Sequence, residues 1–289
     1  MVTGSQGRRL MGAHQAPLHT EAEGETKGRL RIFSTPLFLA SSTQVRIPTR
    51  NSRLLPRRKD TEELLDQTRH DPTELAANLR DIRTVNRVAG GTAIVLRHLP
   101  GLLEHVPRDC SAEILDLATG GGDIPRALVT WADRQGRPLQ LTVTDRSPEI
   151  LAEARRTLGG VPGVTFTVCD ARAVPLPERS FDVVLCSLSL HHFAPGEAVQ
   201  VLREMDRLSR TGFILNDIRR CLTGYLAAWA ASRVATRNRL TRHDMPLSVL
   251  RAYTPKELRA LLQQAGIPDA RVTTHPLFRM AAVRRKLST

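Results

Sequence analysis

Glu113 to Pro125 reads EILDLATGGGDIP. The apolar run Ile114-Leu115-Asp116-Leu117 stops at a small, glycine-rich turn, Ala118-Thr119-Gly120-Gly121-Gly122. Asp123-Ile124-Pro125 then opens a helical segment. In α/β proteins a buried strand that feeds a tight turn and a helix start brings backbone N–H groups close to a ligand. Glycines permit that approach because no Cβ stands in the way. A glycine-rich turn can also simply connect two elements, so the strands that follow decide its meaning.

From Ala112 onward, strand-like runs at 113–117, 139–144, 164–169, 182–188 and 212–216 alternate with helical stretches at 123–134, 147–158 and 195–209. That alternation predicts a parallel sheet built from right-handed crossovers. Downstream come an Ala/Arg-rich helix near 219–238 and a helix at Pro255–Gln264. Two short strands near 270–275 and 278–284 should pair as an antiparallel hairpin at the sheet edge. Upstream, Asp71-Pro72-Thr73-Glu74 combines an Asp cap, a first-turn Pro and a Glu at the third helical position. Leu75, Leu79, Ile82 and Val85 follow at helical spacing, Gly90-Gly91 breaks the run, and a second helix is predicted at about 92–104. The expected fold class is α/β: a doubly wound, mostly parallel seven-stranded sheet with an antiparallel C-terminal hairpin, plus N-terminal helices.

The 289 residues suffice for one or two domains with a substantial core. Residues 1–55 show no sustained period and are expected to be a disordered basic segment, residues 56–110 a helical layer, and residues 111–289 the sheet domain. Leu30–Ser41 is a short apolar patch too deep in the chain for a signal peptide, and Glu21, Glu23 and Glu25 argue against a transit peptide. No apolar run approaches the roughly 18 residues of a membrane span. Cys110, Cys169, Cys186 and Cys221 form no CxxC pair and read as thiols of a reducing compartment rather than disulfide or zinc ligands. A cytoplasmic location is expected, with no metal. The net charge of +13 is uneven: +7 over residues 1–60, −5 over 61–201 and +11 over 202–289. Such asymmetry fits a nucleic-acid or anionic-lipid partner, or equally the arginine habit of a GC-rich genome with solvated faces.

Ligands of open α/β sheets bind beyond the carboxyl ends of the strands. After the second strand stands Asp145, 25 residues past Gly120, where a carboxylate can take both hydroxyls of a ribose or cap the next helix. After the third stands Asp170, able to accept from an exocyclic amine of adenine. The fourth is followed by Ser187-Leu188-Ser189-Leu190-His191-His192-Phe193, and the fifth by Asn216-Asp217.

With these residues in place, the chain resembles class I S-adenosylmethionine-dependent methyltransferases, a Rossmann-like family, over roughly residues 75–285. The segments ILDLATGGGD, TVTDRSPEIL and VCDARAVPLPERSFDVVLCSLSLHHF carry the resemblance. Their character is that of small-molecule enzymes such as those of quinone biosynthesis. LNDIRR and RHDMPLSVLRAYTPKELRALL are similar to methyltransferases associated with type III polyketide synthases. The resemblance implies S-adenosyl-L-methionine as cofactor. Asp116 and the turn Ala118, Thr119, Gly120 and Gly122 would hold the methionine part, Asp145 with Arg146 beside it the ribose, and Asp170 and Ala171 the adenine. Ser187 would contact the amino-acid end by its backbone. Two departures stand out: Ala118 replaces the first glycine of the motif, and Ser209-Arg210-Thr211-Gly212 replaces the usual Pro-Gly-Gly.

Methyl transfer from a sulfonium is an in-line displacement, so the protein must align the acceptor and exclude water. A base is needed only for a neutral hydroxyl or an unactivated carbon. His191, His192 and His243, with Asp244 beside the last, are the candidates; each could equally pack or cap. His243 is expected in a polar turn after the basic helix. The segment 218–254 is expected as a helical lid whose Leu222, Tyr225, Leu226, Trp229 and Val234 wall the acceptor site; it could also lie on a membrane or simply pack. The leading reading is a methyltransferase for a small aromatic, phenolic or quinone-type acceptor of secondary metabolism, with oxygen favoured over carbon. A nucleic-acid methyltransferase is the alternative, disfavoured by the missing Asn/Asp-Pro-Pro-Tyr and Pro-Cys motifs and by 4% aromatics. A non-catalytic cofactor-binding protein is a third reading. A NAD site would want GxGxxG spacing, which is absent. Contact with a membrane surface is not expected, and no oligomeric state is implied.

Overall fold

Asp71 opens the first helix as its sequence requires: one carboxylate oxygen accepts from the N–H groups of Thr73 and Glu74, each at 2.9 Å. In this computed structural model, which describes residues 56–67 and 69–286, that helix is α1 (Pro72–Val88) and α2 is Gly91–Leu102. The basic segment 1–55 lies outside the described residues. The strands and helices then alternate as β1 (Ala112–Leu117), α3 (Asp123–Gln135), β2 (Leu139–Asp145), α4 (Pro148–Leu158) and β3 (Val164–Val168). They continue with β4 (Phe181–Ser187), α5 (Pro195–Leu208), β5 (Ser209–Ile218), α6 (Leu222–Val234), α7 (Arg239–Arg251) and α8 (Pro255–Ala265). The chain closes with β6 (Arg271–His275) and β7 (Arg279–Arg285).

The seven strands form one sheet in the order β3-β2-β1-β4-β5-β7-β6. The first five pair in parallel, and β7 inserts antiparallel between β5 and β6. Consecutive residues of β1 face opposite layers, and both are apolar. Ile114 joins Val143, Val183 and Ile214 under the layer of α2, α3 and α4. Leu115 and Leu117 join Val184, Phe213 and Leu258 under α5 and α8. Burial on both faces is why these strands read as continuous apolar runs rather than as alternation.

The region after β5 departs from the expected pattern. The long basic helix is shorter than its composition suggested, and a second helix, α7, follows it where a polar turn was expected. Asn238 starts α7 by accepting from the Thr241 N–H at 3.0 Å. Thr241 and Asp244 are buried in α7 alongside Leu240 and Leu247, so polar anchors interrupt the apolar stripe by which a helix is normally recognised.

Two glycines are demanded by the backbone. Gly122, at φ 75°, starts α3 where a Cβ would lie 3.2 Å from Ala154 Cα. Gly212, at φ 144°, brings β5 so close to β7 that a Cβ would collide with the Arg284 carbonyl oxygen. Gly212→Ala is therefore expected to destabilise the protein by about 3 kcal/mol or more. The measurement is the urea midpoint, and a midpoint unchanged from the parent would contradict this placement of β7.

Candidate active site

The turn after β1 is where the strand ends begin to converge. Ala118 sits at φ 52°, in the left-handed region that a glycine adopts freely and alanine does not. So the residue that departs from the glycine motif still follows its backbone path. Thr119 donates its hydroxyl to Asp116 Oδ2 at 2.7 Å, and Asp116 Oδ1 is buried with no hydrogen-bond partner among the described residues. Burial pushes the Asp116 carboxyl up to about 7, against the Thr119 hydroxyl and with help from the charges of Asp123 and Asp145.

Asp145 ends β2 beside this turn. Its Oδ2 accepts from the Gly120 N–H at 3.1 Å and its Oδ1 from the Ser147 N–H at 3.0 Å. Each oxygen keeps a lone pair for a further donor. Burial raises its pKa, although the Ser147 and Gly120 N–H groups oppose the rise. Asp170, after β3, is held by Arg172 through both oxygens at 3.0 Å, and this pairing lowers its pKa. Ala171 is buried next to it. After β4 the hydroxyl of Ser189 donates to the Ala118 carbonyl at 3.1 Å, tying the two strand ends together.

All these groups face one cavity of about 1200 Å³ at the carboxyl ends of the strands. Asp116, Ala118, Thr119, Gly120, Asp145, Arg146, Asp170, Ala171 and Ser187 line it. Gly122 does not; it packs on α4, and Gly121 takes its place in the wall. Arg146 leans toward the mouth, where it donates to Asp66 at 3.2 Å.

His191 and His192 enter the cavity from beyond β4 and differ in surroundings. His191 is buried, with Nδ1 on Asp217 Oδ1 at 2.8 Å and its N–H donating to Asp217 Oδ2 at 3.0 Å. Because the carboxylate accepts, Nδ1 carries a hydrogen, and Nε2 faces Glu63 Oε1 at 3.7 Å. His192 Nδ1 bonds Asp66 Oδ2 at 2.9 Å. Burial favours its neutral form, but the Glu63 carboxylate and the Asp66 hydrogen bond outweigh burial and raise its pKa to about 9. Asp66 falls to about 2: burial opposes the fall, and His192, Arg251 and Arg146 override it. Glu63, His191 and His192 also present ligand-type atoms within 4.8 Å of one another, the group among the described residues able to hold a metal ion.

His243 is not brought to the cavity. It lies within α7, bonded to Asp244 at 2.7 Å, and lines a separate surface recess with Arg233, Arg237, Arg239 and Arg242. Asp244 does reach the cavity, where its two oxygens accept from the Leu64 and Leu65 N–H groups at 2.8 and 2.9 Å. Those bonds pin the segment 56–67 across the cavity mouth. Arg251 reinforces them by donating to the carbonyls of Thr61 at 2.7 Å and His192 at 2.6 Å. Glu63, Asp66 and Arg251 carry no motif, and their contacts span 59 to 190 residues, so sequence reading missed them. The wall offered by α6 also differs from expectation. Gly224, Ala228, Ala231 and Ala235 face the cavity at helical spacing, while Leu222, Leu226, Trp229 and Val234 are exposed elsewhere.

Residues 114–212 match the family model described as "Methyltransferase domain". The ubiquinone/menaquinone biosynthesis C-methyltransferase UbiE of Rickettsia bellii is 30% identical over 120 residues, covering 39% of this chain and 45% of that protein. UbiE of Xanthomonas oryzae is 35% identical over 102 residues, covering 34% and 38%. The chain thus spans about half the length, or less, of the curated relatives it matches. A SAM-dependent methyltransferase from Aquifex aeolicus superposes with a TM-score of 0.50 at 16% identity, over 74% of this chain and 98% of that one. The CurJ carbon methyltransferase superposes with a TM-score of 0.55 at 14% identity, over 75% and 61%. At these identities the structures establish the fold, and the family match marks residues 114–212 as a methyltransferase domain.

Proposed function

We propose that the protein transfers a methyl group from S-adenosylmethionine to a small aromatic acceptor of phenolic or quinone type. The observation that carries this reading is the division of one cavity into two chemistries. The ends of β1, β2 and β3 offer carboxylates, and the ends of β4 and β5 offer a His191–Asp217 pair. Its 1200 Å³ exceeds the roughly 300–1000 Å³ of a single small-molecule site, which leaves room for cofactor and acceptor together.

The cofactor's chemistry fits the residues present. The unpartnered Asp116 Oδ1 suits the ammonium of a methionine moiety, and the free lone pairs of Asp145 suit two ribose hydroxyls. When bound, S-adenosylmethionine supplies the electrophilic methyl group. The chain's own part is to hold the acceptor in line, exclude water beneath the segment 56–67, and accept the acceptor's proton at His191 Nε2. Asp217 fixes that imidazole's tautomer and steadies it once protonated. His192, a cation near neutral pH, positions the mouth segment rather than acting as base.

The nucleic-acid alternative has the basic recess of Arg233, Arg237, Arg239 and Arg242 in its favour. Against it, that recess is separate from the cavity that holds the strand-end carboxylates and His191. The test is transfer of labelled methyl from S-adenosylmethionine to a panel of phenols and hydroquinones, with bulk RNA in parallel. Labelled phenol ethers or ring-methylated products are expected. Label in RNA alone would favour the alternative, and calorimetry without cofactor binding would remove both.

A further inference from the structure

Arg279, the first residue of β7, is 1% exposed and lines the same cavity. Its Nε and Nη1 are fully buried and make no hydrogen bond, and no ion pair reaches its guanidinium among the described residues. The nearby carboxylates are engaged elsewhere: Asp217 with His191, and Asp123 with the Asn86 amide at 2.6 Å. Burial lowers its pKa to about 10, with Asp217 and Asp123 opposing the fall, so the group is a cation at neutral pH. An unpaired buried charge is costly, and proteins that keep one generally supply its counter-ion by binding something.

The placement of Arg279 says what that something is. It stands opposite Ile218, three strands from β1 along the sheet, or about 14 Å at the usual strand spacing. The carboxylates suited to the cofactor lie on β1, β2 and β3. Beside Arg279 the cavity wall carries its cross-strand partner Ile218 and its chain neighbours Leu277 and Phe278, with Asp217 and Asp123 near enough to act on its charge. The turn leading into it is strained. Leu277 at φ 53° and Phe278 at φ 61° both adopt the left-handed backbone that favours glycine or asparagine. Such strain persists where the surroundings enforce it and clusters at functional sites. Phe278 packs against Gly224, where a Cβ would lie 3.1 Å from its ring.

We infer that Arg279 is the anchor for a carboxylate on the acceptor, so that the acceptor is an aromatic acid with its carboxylate on the buried guanidinium and its ring against the apolar surface that α6 and Phe278 form together. The inference rests on the two-chamber reading above but concerns binding alone, so it can fail or hold whether or not transfer is seen.

The experiment is calorimetry on the full chain saturated with S-adenosylhomocysteine. Its probes are one- and two-ring aromatic hydroxy acids, each paired with its own neutral amide. At least one acid is expected to bind well ahead of its amide. Arg279→Met should weaken that acid by at least about 30-fold while leaving the amide unchanged, and Arg279→Lys should restore part of the difference. Because it removes an unpaired charge, Arg279→Met should melt no lower than the parent. If it melts well below the parent, Arg279 has a structural partner and the inference fails. No preference for acids over amides overturns it as well. A second arm compares S-adenosylmethionine with its decarboxylated form. If Arg279→Met weakens only the former, the guanidinium serves the cofactor's own carboxylate and the assignment to the acceptor is wrong.

Discussion

Asp145→Ala is expected to weaken S-adenosylmethionine binding by roughly 100-fold or more. The side chain would lose two hydrogen bonds from ribose hydroxyls to a charged acceptor, at least about 3 kcal/mol together. The substitution also strands the Gly120 and Ser147 N–H groups, which now donate to the two carboxylate oxygens. Thermal melting without cofactor separates that structural cost from the binding loss. Asp145→Asn keeps one oxygen and should fall between parent and alanine. A dissociation constant within threefold of the parent for both variants, by calorimetry, would place the ribose elsewhere and unseat the arrangement of the β1–β3 chamber.

Asp217→Asn and His191→Ala are expected to lower kcat for a phenolic acceptor by roughly 100- to 10000-fold, the usual range for a lost general base. Cofactor affinity should hardly change, because neither residue faces the β1–β3 side. In Asp217→Asn the amide still fits between His191 and the Ile218 N–H, which donates to Asp217 Oδ1 at 2.8 Å, but it can hold the wrong imidazole tautomer. His192→Gln provides the contrast. Its ring is a cation bonded to Asp66, so its loss should act mainly on KM and change kcat less than about tenfold. Equal losses of kcat in the His191 and His192 variants would refute the assignment of the base to His191.

The sheet and the polar ends of its strands were legible because they are local signals. A strand followed by a turn and a helix announces itself within fifteen residues, and Asp116, Asp145 and Asp170 fall where that rhythm puts strand ends. The Asp71 cap was legible for the same reason. What was hidden depends on distant partners. Glu63 and Asp66 look like ordinary surface acids until Arg251 and Asp244, nearly two hundred residues on, hold them over the cavity. Arg279 is one of 42 Lys and Arg residues, and only its burial without a partner sets it apart. His243 misled because Arg242-His243-Asp244 reads as a polar turn. Asp244 is instead buried for its own hydrogen bonds, and the helix carries His243 to the other side. On α6 the large apolar residues drew attention, whereas the small ones form the wall.

The hold of α7 on the segment 56–67 has a kinetic corollary. Two backbone N–H groups on Asp244, the Arg251 guanidinium and the His192 cation fasten that segment together. Under the proposed function, cofactor and acceptor would reach a cavity lined by this segment, and the spent cofactor would leave the same way. Loops held by several such bonds open on microsecond to millisecond timescales, and in many enzymes their opening outlasts the chemistry. Turnover would then be timed by the latch, and thickening the solvent would slow it while leaving the single-turnover rate unchanged.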